Sequence, residues 1–184
     1  MTPTELLSRI ASDPACSLSL ESTQGFLRMP PGVPRELEIY FRDYLELRIF
    51  CAEPYPPDRK NMWIVRPAWD ESLKSFFDHQ EVDDLSMKYG SLYFIAQSAN
   101  DGSEFIGISL LDEAPGAIFY FRIQSAGIPH GMPRIAESFS EWLERTLDAT
   151  PYAPCPYWER PDFQDMGPAI PDDPFYVWRN PREN

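Results

Sequence analysis

The hydrophobic positions follow a strand-like period in the second half of the chain. Residues 92–96 form a short continuous apolar run, which is typical of a buried strand. Apolar residues then alternate with other residues over 106–110 and again over 117–123. Turns rich in Asp, Gly and Pro separate the three segments. Period-two spacing bounded by such turns predicts an antiparallel meander.

A helical period replaces the strand period after the meander. Ser138 with Glu141 three residues later predicts a capping box at a helix N-terminus. The apolar residues that follow share one helix face: Phe139, Trp142, Leu143 and Leu147. The sequence therefore predicts that a helix closes the domain and packs on the sheet.

Further helices are predicted earlier in the chain. Thr4 is placed to cap a helix over 3–12, and Pro34 suits the first turn of a second helix. The second helix is predicted to carry a core-facing stripe: Leu37, Tyr40, Phe41, Tyr44 and Leu45. A strand is predicted over 62–65. Asp70 is predicted to cap a short helix that carries Leu73, Phe76 and Phe77, and Gly90 to end another helical turn.

The predicted elements indicate one α+β domain over residues 1–149, with a mostly antiparallel sheet and helices on one side of it. The chain has 184 residues, of which 43% are hydrophobic, so it can bury one sizeable core, whereas two independent domains would be crowded. It has no apolar run long enough to span a bilayer, and its N-terminus lacks the basic start and apolar stretch of a secretory signal. The three cysteines are widely spaced and odd in number. Together these features predict a reduced, cytoplasmic protein.

The composition changes in residues 150–184, which hold eight of the 20 prolines. That density excludes a regular helix and an interior strand. The same segment is rich in large aromatic residues: Tyr152, Tyr157, Trp158, Phe163, Phe175, Tyr176 and Trp178. Because each would contribute about 1.5–3 kcal/mol if buried, we expect an extended arm packed across the domain. The alternative is an exposed aromatic strip that engages a partner.

The net charge of −13 favours cationic proteins over nucleic acids as binding partners. Such a chain repels a phosphate backbone, which disfavours nucleic acid as a partner, and attracts cationic proteins. Solubility alone is a second explanation of the charge. Acidic residues in predicted turns are the candidate partner-binding groups: Asp58, Asp83, Asp84, Asp101, Glu104, Asp112 and Glu113.

The sequence predicts neither catalysis nor a bound metal or cofactor. His79 and His130 are the only histidines, and neither has a second His or Cys at metal-ligand spacing. Cys51 follows Phe50 in an apolar context, which favours a buried thiol over an activated one. Paired acids such as Asp83-Asp84 point in different directions on a helix or strand, so adjacency alone does not make an acid–base pair.

The order of these elements resembles the SUKH superfamily, which includes bacterial immunity proteins and a fungal regulator of cell-wall glucan synthesis. The resemblance covers residues 33–148. Its motifs are the helix start 33–37 followed by Tyr40, Phe41 and Tyr44, the polar turn 100–104, a strand ending at Asp112, the strand 117–121, and the closing helix 137–143.

The resemblance implies a non-enzymatic immunity protein that binds and neutralises a cognate bacterial toxin in the cytoplasm. A regulatory or scaffold protein that binds an endogenous cytosolic partner is the alternative within the same superfamily. A small enzyme or ligand-binding domain, whose pocket residues meet only in three dimensions, is a third possibility.

Overall fold

In the part of the chain that the structure describes, seven strands form one sheet, and strands adjacent in sequence are also adjacent in the sheet. The computed structural model describes residues 1–20, 29–51, 61–69, 72–73, 88–122, 132–149, 153, 155–173 and 176. The strands are β1 (Ser17–Leu20), β2 (Tyr44–Ile49), β3 (Trp63–Val65), β4 (Leu92–Ser98), β5 (Glu104–Ser109), β6 (Ile118–Arg122) and β7 (Arg134–Ala136). The helices among these residues are α1 (Pro3–Ser12), α2 (Arg35–Phe41) and α3 (Phe139–Asp148). All six strand pairings are antiparallel, which confirms the predicted sheet and the α+β class.

The predicted meander corresponds to β4, β5 and β6, and the predicted strand over 62–65 corresponds to β3. The sequence did not predict β1, β2 or β7. Tyr44 and Leu45 were wrongly assigned to the second helix, which ends at Phe41. From Glu46 onward the chain alternates partly exposed and buried residues, and the backbone of β2 pairs with β1 on one side and β3 on the other. Pairing on both edges outweighs the local helical spacing.

One face of the sheet packs against all three of these helices. Leu6 and Ile10 of α1, and Leu37 and Tyr40 of α2, are fully buried in the core on this face. The predicted apolar side of α3 is also buried there, as Phe139, Trp142, Leu143 and Leu147. A T-shaped contact between Trp63 of β3 and Trp142, with ring centroids 6.2 Å apart, joins α3 to the centre of the sheet.

The helix caps differ from the prediction in two details. Thr2, not Thr4, caps α1: its Oγ1 accepts a hydrogen bond from Glu5 N, because Pro3 takes the first helical position and Glu5 the third. Ser138 caps α3 as predicted and accepts from Glu141 N at 3.1 Å. The Glu141 carboxylate, however, accepts from Glu137 N, one residue before the cap.

The opposite face of the sheet carries a second apolar cluster. Phe119 and Phe121 point into it, while Ile118 of the same strand faces the helices, so β6 is buried on both faces. Gly107 of β5 stands opposite Phe119, and a Cβ at that position would lie 2.2 Å from the ring. The absence of a side chain at Gly107 therefore leaves room for the Phe119 ring beside β5.

The C-terminal segment crosses the β7 edge of the sheet. On the helix side, Trp158 packs against Trp63 and Tyr120, with ring centroids 5.6 Å apart in each pair. Beyond the edge, Arg134 N donates to Gly167 O at 2.8 Å. On the other face, Ala169 and Ile170 are buried in the second cluster. The segment thus covers an edge that would otherwise present unpaired backbone groups.

Several predicted features lie outside the described residues. They are the helix residues Phe76 and Phe77 with the Asp70 cap, both histidines (His79 and His130), and the tail aromatics Tyr152, Phe175 and Trp178. Gly90, predicted to end a helical turn, lies in a 3₁₀ turn over Tyr89–Ser91. None of the helices in the described ranges combines the length and apolar character that crossing a membrane requires.

Candidate functional site

The structure places the predicted acidic residues at two separate ends of the sheet. Asp101 and Glu104 lie where β4 turns into β5, and Asp112 and Glu113 lie in the turn after β5. The two turns are at opposite ends of β5, so these four carboxylates do not form one patch. Asp58, Asp83 and Asp84 lie outside the described residues.

Asp101 is engaged within its own turn. Its Oδ1 accepts hydrogen bonds from the backbone N and the Oγ of Ser103, at 2.9 and 2.6 Å. Its Oδ2 accepts from the Arg122 guanidinium of β6 at 2.7 Å. The hydrogen bonds from Ser103, and then the charge of Arg122, hold the pKa of this carboxyl below its usual value. Asp101 therefore organises the β4–β5 turn and ties it to β6.

Glu104 is also engaged internally. The Tyr120 hydroxyl of β6 donates to Glu104 Oε1 at 2.9 Å. Burial raises the pKa of Tyr120, and the neighbouring Glu104 charge raises it further. The phenol therefore remains a hydrogen-bond donor at neutral pH. A partner that used Asp101 or Glu104 would have to compete with these existing bonds.

The acids of the β5–β6 turn are differently placed. Asp112 and Glu113 are both exposed. Glu113 lies 4.0 Å from Lys88 Nζ, and the Asp112 carboxylate makes no hydrogen bond or ion pair with any described residue. We call this pair the acidic turn. In a chain of net charge −13, its carboxylates are available to an external cation.

The backbone beneath the acidic turn is well fixed. Ala114 N donates to Leu111 O at 3.1 Å, and Gly116 N donates to Ser109 O at 2.7 Å. Gly116 has a φ of +84°, a conformation that favours glycine. On its other side Gly116 faces Pro34 at the start of α2. The two exposed carboxylates thus stand on a hydrogen-bonded turn, and a turn that is already ordered lowers the entropic cost of binding.

The cysteines described are buried or half-buried thiols. Cys51, predicted to be buried, is 4% exposed, and its Sγ donates to Ile49 O at 3.2 Å. Burial raises the pKa of Cys16 to about 11, so this thiol is protonated at neutral pH. Across the described ranges, no three His, Cys, Asp or Glu side chains are grouped so that they could hold a metal ion.

Sequence reasoning missed a groove between the last turn of α3 and the C-terminal segment. Its volume is about 520 Å³. Residues of both segments line it: Arg145, Asp148, Ala149, Tyr157, Arg160, Asp162, Phe163, Gln164 and Met166. No local sequence pattern predicts this groove, because its two walls meet only when the C-terminal segment packs beside α3.

Comparison with protein-family models, with curated proteins and with solved structures found no match to this chain.

Proposed function

We propose that the protein is a non-enzymatic immunity protein of the SUKH type, which binds and neutralises a cationic bacterial toxin in the cytoplasm. The observation that carries the proposal is the acidic turn: Asp112 and Glu113 are exposed, have only the distant Lys88 as a partner among the described residues, and stand on a hydrogen-bonded backbone. The resemblance of the sequence to the superfamily supports the choice of a toxin as the partner.

The charge of the chain supports a cationic partner. A protein with 29 acidic and 16 basic side chains attracts a basic surface over several ångströms and raises the rate of encounter. Toxins that act on nucleic acid have basic surfaces around their active sites, since they must hold phosphates. The acidic turn provides the local contact, and the net charge provides the steering.

The experiment co-expresses the protein with a panel of basic toxin domains from the same organism. We expect one toxin to lose its toxicity and to bind the purified protein tightly, with an affinity that falls as salt rises. The variant Asp112→Asn with Glu113→Gln removes two charges without touching the core. We expect it to weaken binding by at least about tenfold, mainly through the association rate.

A matched variant separates the acidic turn from net charge alone. Asp43→Asn with Asp172→Asn also removes two exposed charges, and Asn tolerates the φ of +60° at position 172. We expect this variant to protect as well as the original chain. Equal weakening by both double variants would refute the role of the acidic turn. Binding to an endogenous cytosolic protein, with no toxin neutralised, would instead favour a regulatory protein.

A further inference from the structure

The groove between α3 and the C-terminal segment shares no lining residue with the acidic turn. Its volume of about 520 Å³ falls within the range of roughly 300–1,000 Å³ that is usual for small-molecule sites. One wall is the end of α3 with Arg145 and Asp148, and the other is the segment that contains Tyr157, Arg160 and Phe163.

The charged groups of the groove differ in how far they are already paired. The Arg145 guanidinium bonds to Glu141 at 2.5 Å and lies 5.4 Å from the centre of the Tyr157 ring. Asp148 is paired with Arg9 at 2.7 Å. Arg160, by contrast, is a half-buried residue, and its guanidinium makes no hydrogen bond or ion pair with any residue in the described ranges. In a chain with 29 acidic side chains, an arginine at a groove whose guanidinium has no carboxylate partner among the described residues favours an anionic ligand.

The apolar part of the groove is aromatic. The rings of Tyr157 and Phe163 lie 5.9 Å apart at an angle of 59°. The Tyr157 hydroxyl donates to Ile135 O at 2.6 Å, which fixes the orientation of the ring. Met166 also lines the groove and can adapt to the shape of an apolar group.

The balance of charge decides which anion suits the site. Two arginines, Arg145 and Arg160, are offset by two aspartates, Asp148 and the exposed Asp162. A phosphate dianion or a nucleotide would bring excess negative charge next to these aspartates. A single carboxylate matches the planar guanidinium of Arg160 through two parallel hydrogen bonds. We infer that the groove binds a small monocarboxylate with an aromatic body, held by Arg160 and packed against Tyr157 and Phe163.

The test uses 3-phenylpropionate as the probe and the full-length protein, with affinity measured by calorimetry and by ligand-observed NMR. Two comparison ligands isolate the charge: 3-phenylpropan-1-ol lacks it, and phenyl phosphate doubles it. We expect the carboxylate to bind at least about tenfold more tightly than the alcohol, because a charge-assisted pair is lost. We expect phenyl phosphate to bind no more tightly than the carboxylate.

Variants then locate the site. Arg160→Gln should reduce the affinity for 3-phenylpropionate to that for the alcohol. Phe163→Ala should lower the affinity for both ligands. Arg35→Gln is the control, since Arg35 is exposed at the start of α2 and is not part of the groove. Three results would overturn the inference. The first is equal affinity for 3-phenylpropionate and the alcohol, and the second is no binding of 3-phenylpropionate at about 10 mM. The third is a loss of affinity in the Arg35 variant as large as that in the Arg160 variant. The ligand comparison on the unaltered chain decides the question even if a variant does not fold.

Discussion

The Glu36 carboxylate links α2 to the N-terminus of α3, and its removal is a direct test of how the two helices are held together. Its Oε1 accepts a hydrogen bond from Phe139 N at 2.9 Å, and its Oε2 accepts from Ser140 Oγ at 2.6 Å. Phe139 N is one of the first amides of α3, which have no partner within the helix. A negative charge at this position also interacts favourably with the helix dipole.

The magnitude follows from these contacts. A hydrogen bond to a charged group contributes about 1.5–3 kcal/mol, and the dipole interaction about 0.3–1 kcal/mol. Because both bonds share one partly exposed carboxylate, we expect Glu36→Ala to lower the free energy of unfolding by about 2–4 kcal/mol, less than the full sum. For a chain of this length that corresponds to a fall in Tm of roughly 4–16 °C.

Urea denaturation followed by tryptophan fluorescence measures the effect. The control is Glu38→Ala, an exposed glutamate on the same helix with the same change in charge and helix propensity. It should change stability by less than about 0.5 kcal/mol. A double-mutant cycle with Ser140→Ala isolates the Ser140 bond. If the Glu36 and Glu38 variants were equally stable, the helix-linking role of Glu36 would be refuted.

Further predictions concern the sheet, the core thiol and the C-terminal segment. Gly107→Ala should lower the free energy of unfolding in urea denaturation by about 1–3 kcal/mol, because the added Cβ would collide with the Phe119 ring. Gly102→Ala is the control: its added Cβ would make only an ordinary contact at 3.5 Å, so the free energy of unfolding should hardly change. The pKa of Cys16 is raised to about 11 in the folded state, so the stability it contributes is complete below pH 9 and lost as the pH rises towards 11. We expect unfolding at pH 10 to be easier than at pH 8, and Cys16→Ala to lessen that difference by about 1 kcal/mol; an unchanged difference would contradict the burial of this thiol. Trp158→Ala should cost about 3–5 kcal/mol in urea denaturation, and a cost below about 1 kcal/mol would show that the C-terminal segment is not part of the core.

The elements predicted correctly from the sequence have local causes. The strands β4, β5 and β6 were found because period-two spacing and turn residues lie within the segment itself. The helix α3 was found because its cap and its apolar face are both visible in ten residues. Each of these sequence signals is independent of the conformation of the rest of the chain.

The strands that were missed depend on distant partners. The short strands β1 and β7 have few residues in which to show a period. β2 follows α2 so closely that its first aromatic and aliphatic residues extend the helical stripe. Their backbone groups find partners only in strands from other parts of the chain, so pairing rather than propensity decides their conformation.

The same distinction governs the candidate site. The sequence by itself determined the net charge of −13 and the placement of acids in turns. It could not distinguish Asp101 and Glu104 from Asp112 and Glu113, since the groups that engage the first two, Arg122 and Tyr120, are 21 and 16 residues away along the chain. Only the tertiary structure decided which carboxylates are hydrogen-bonded to other side chains, and where the groove between α3 and the C-terminal segment forms. The physical reason is that hydrogen bonds and ion pairs act over a few ångströms, and folding alone brings such distant groups that close.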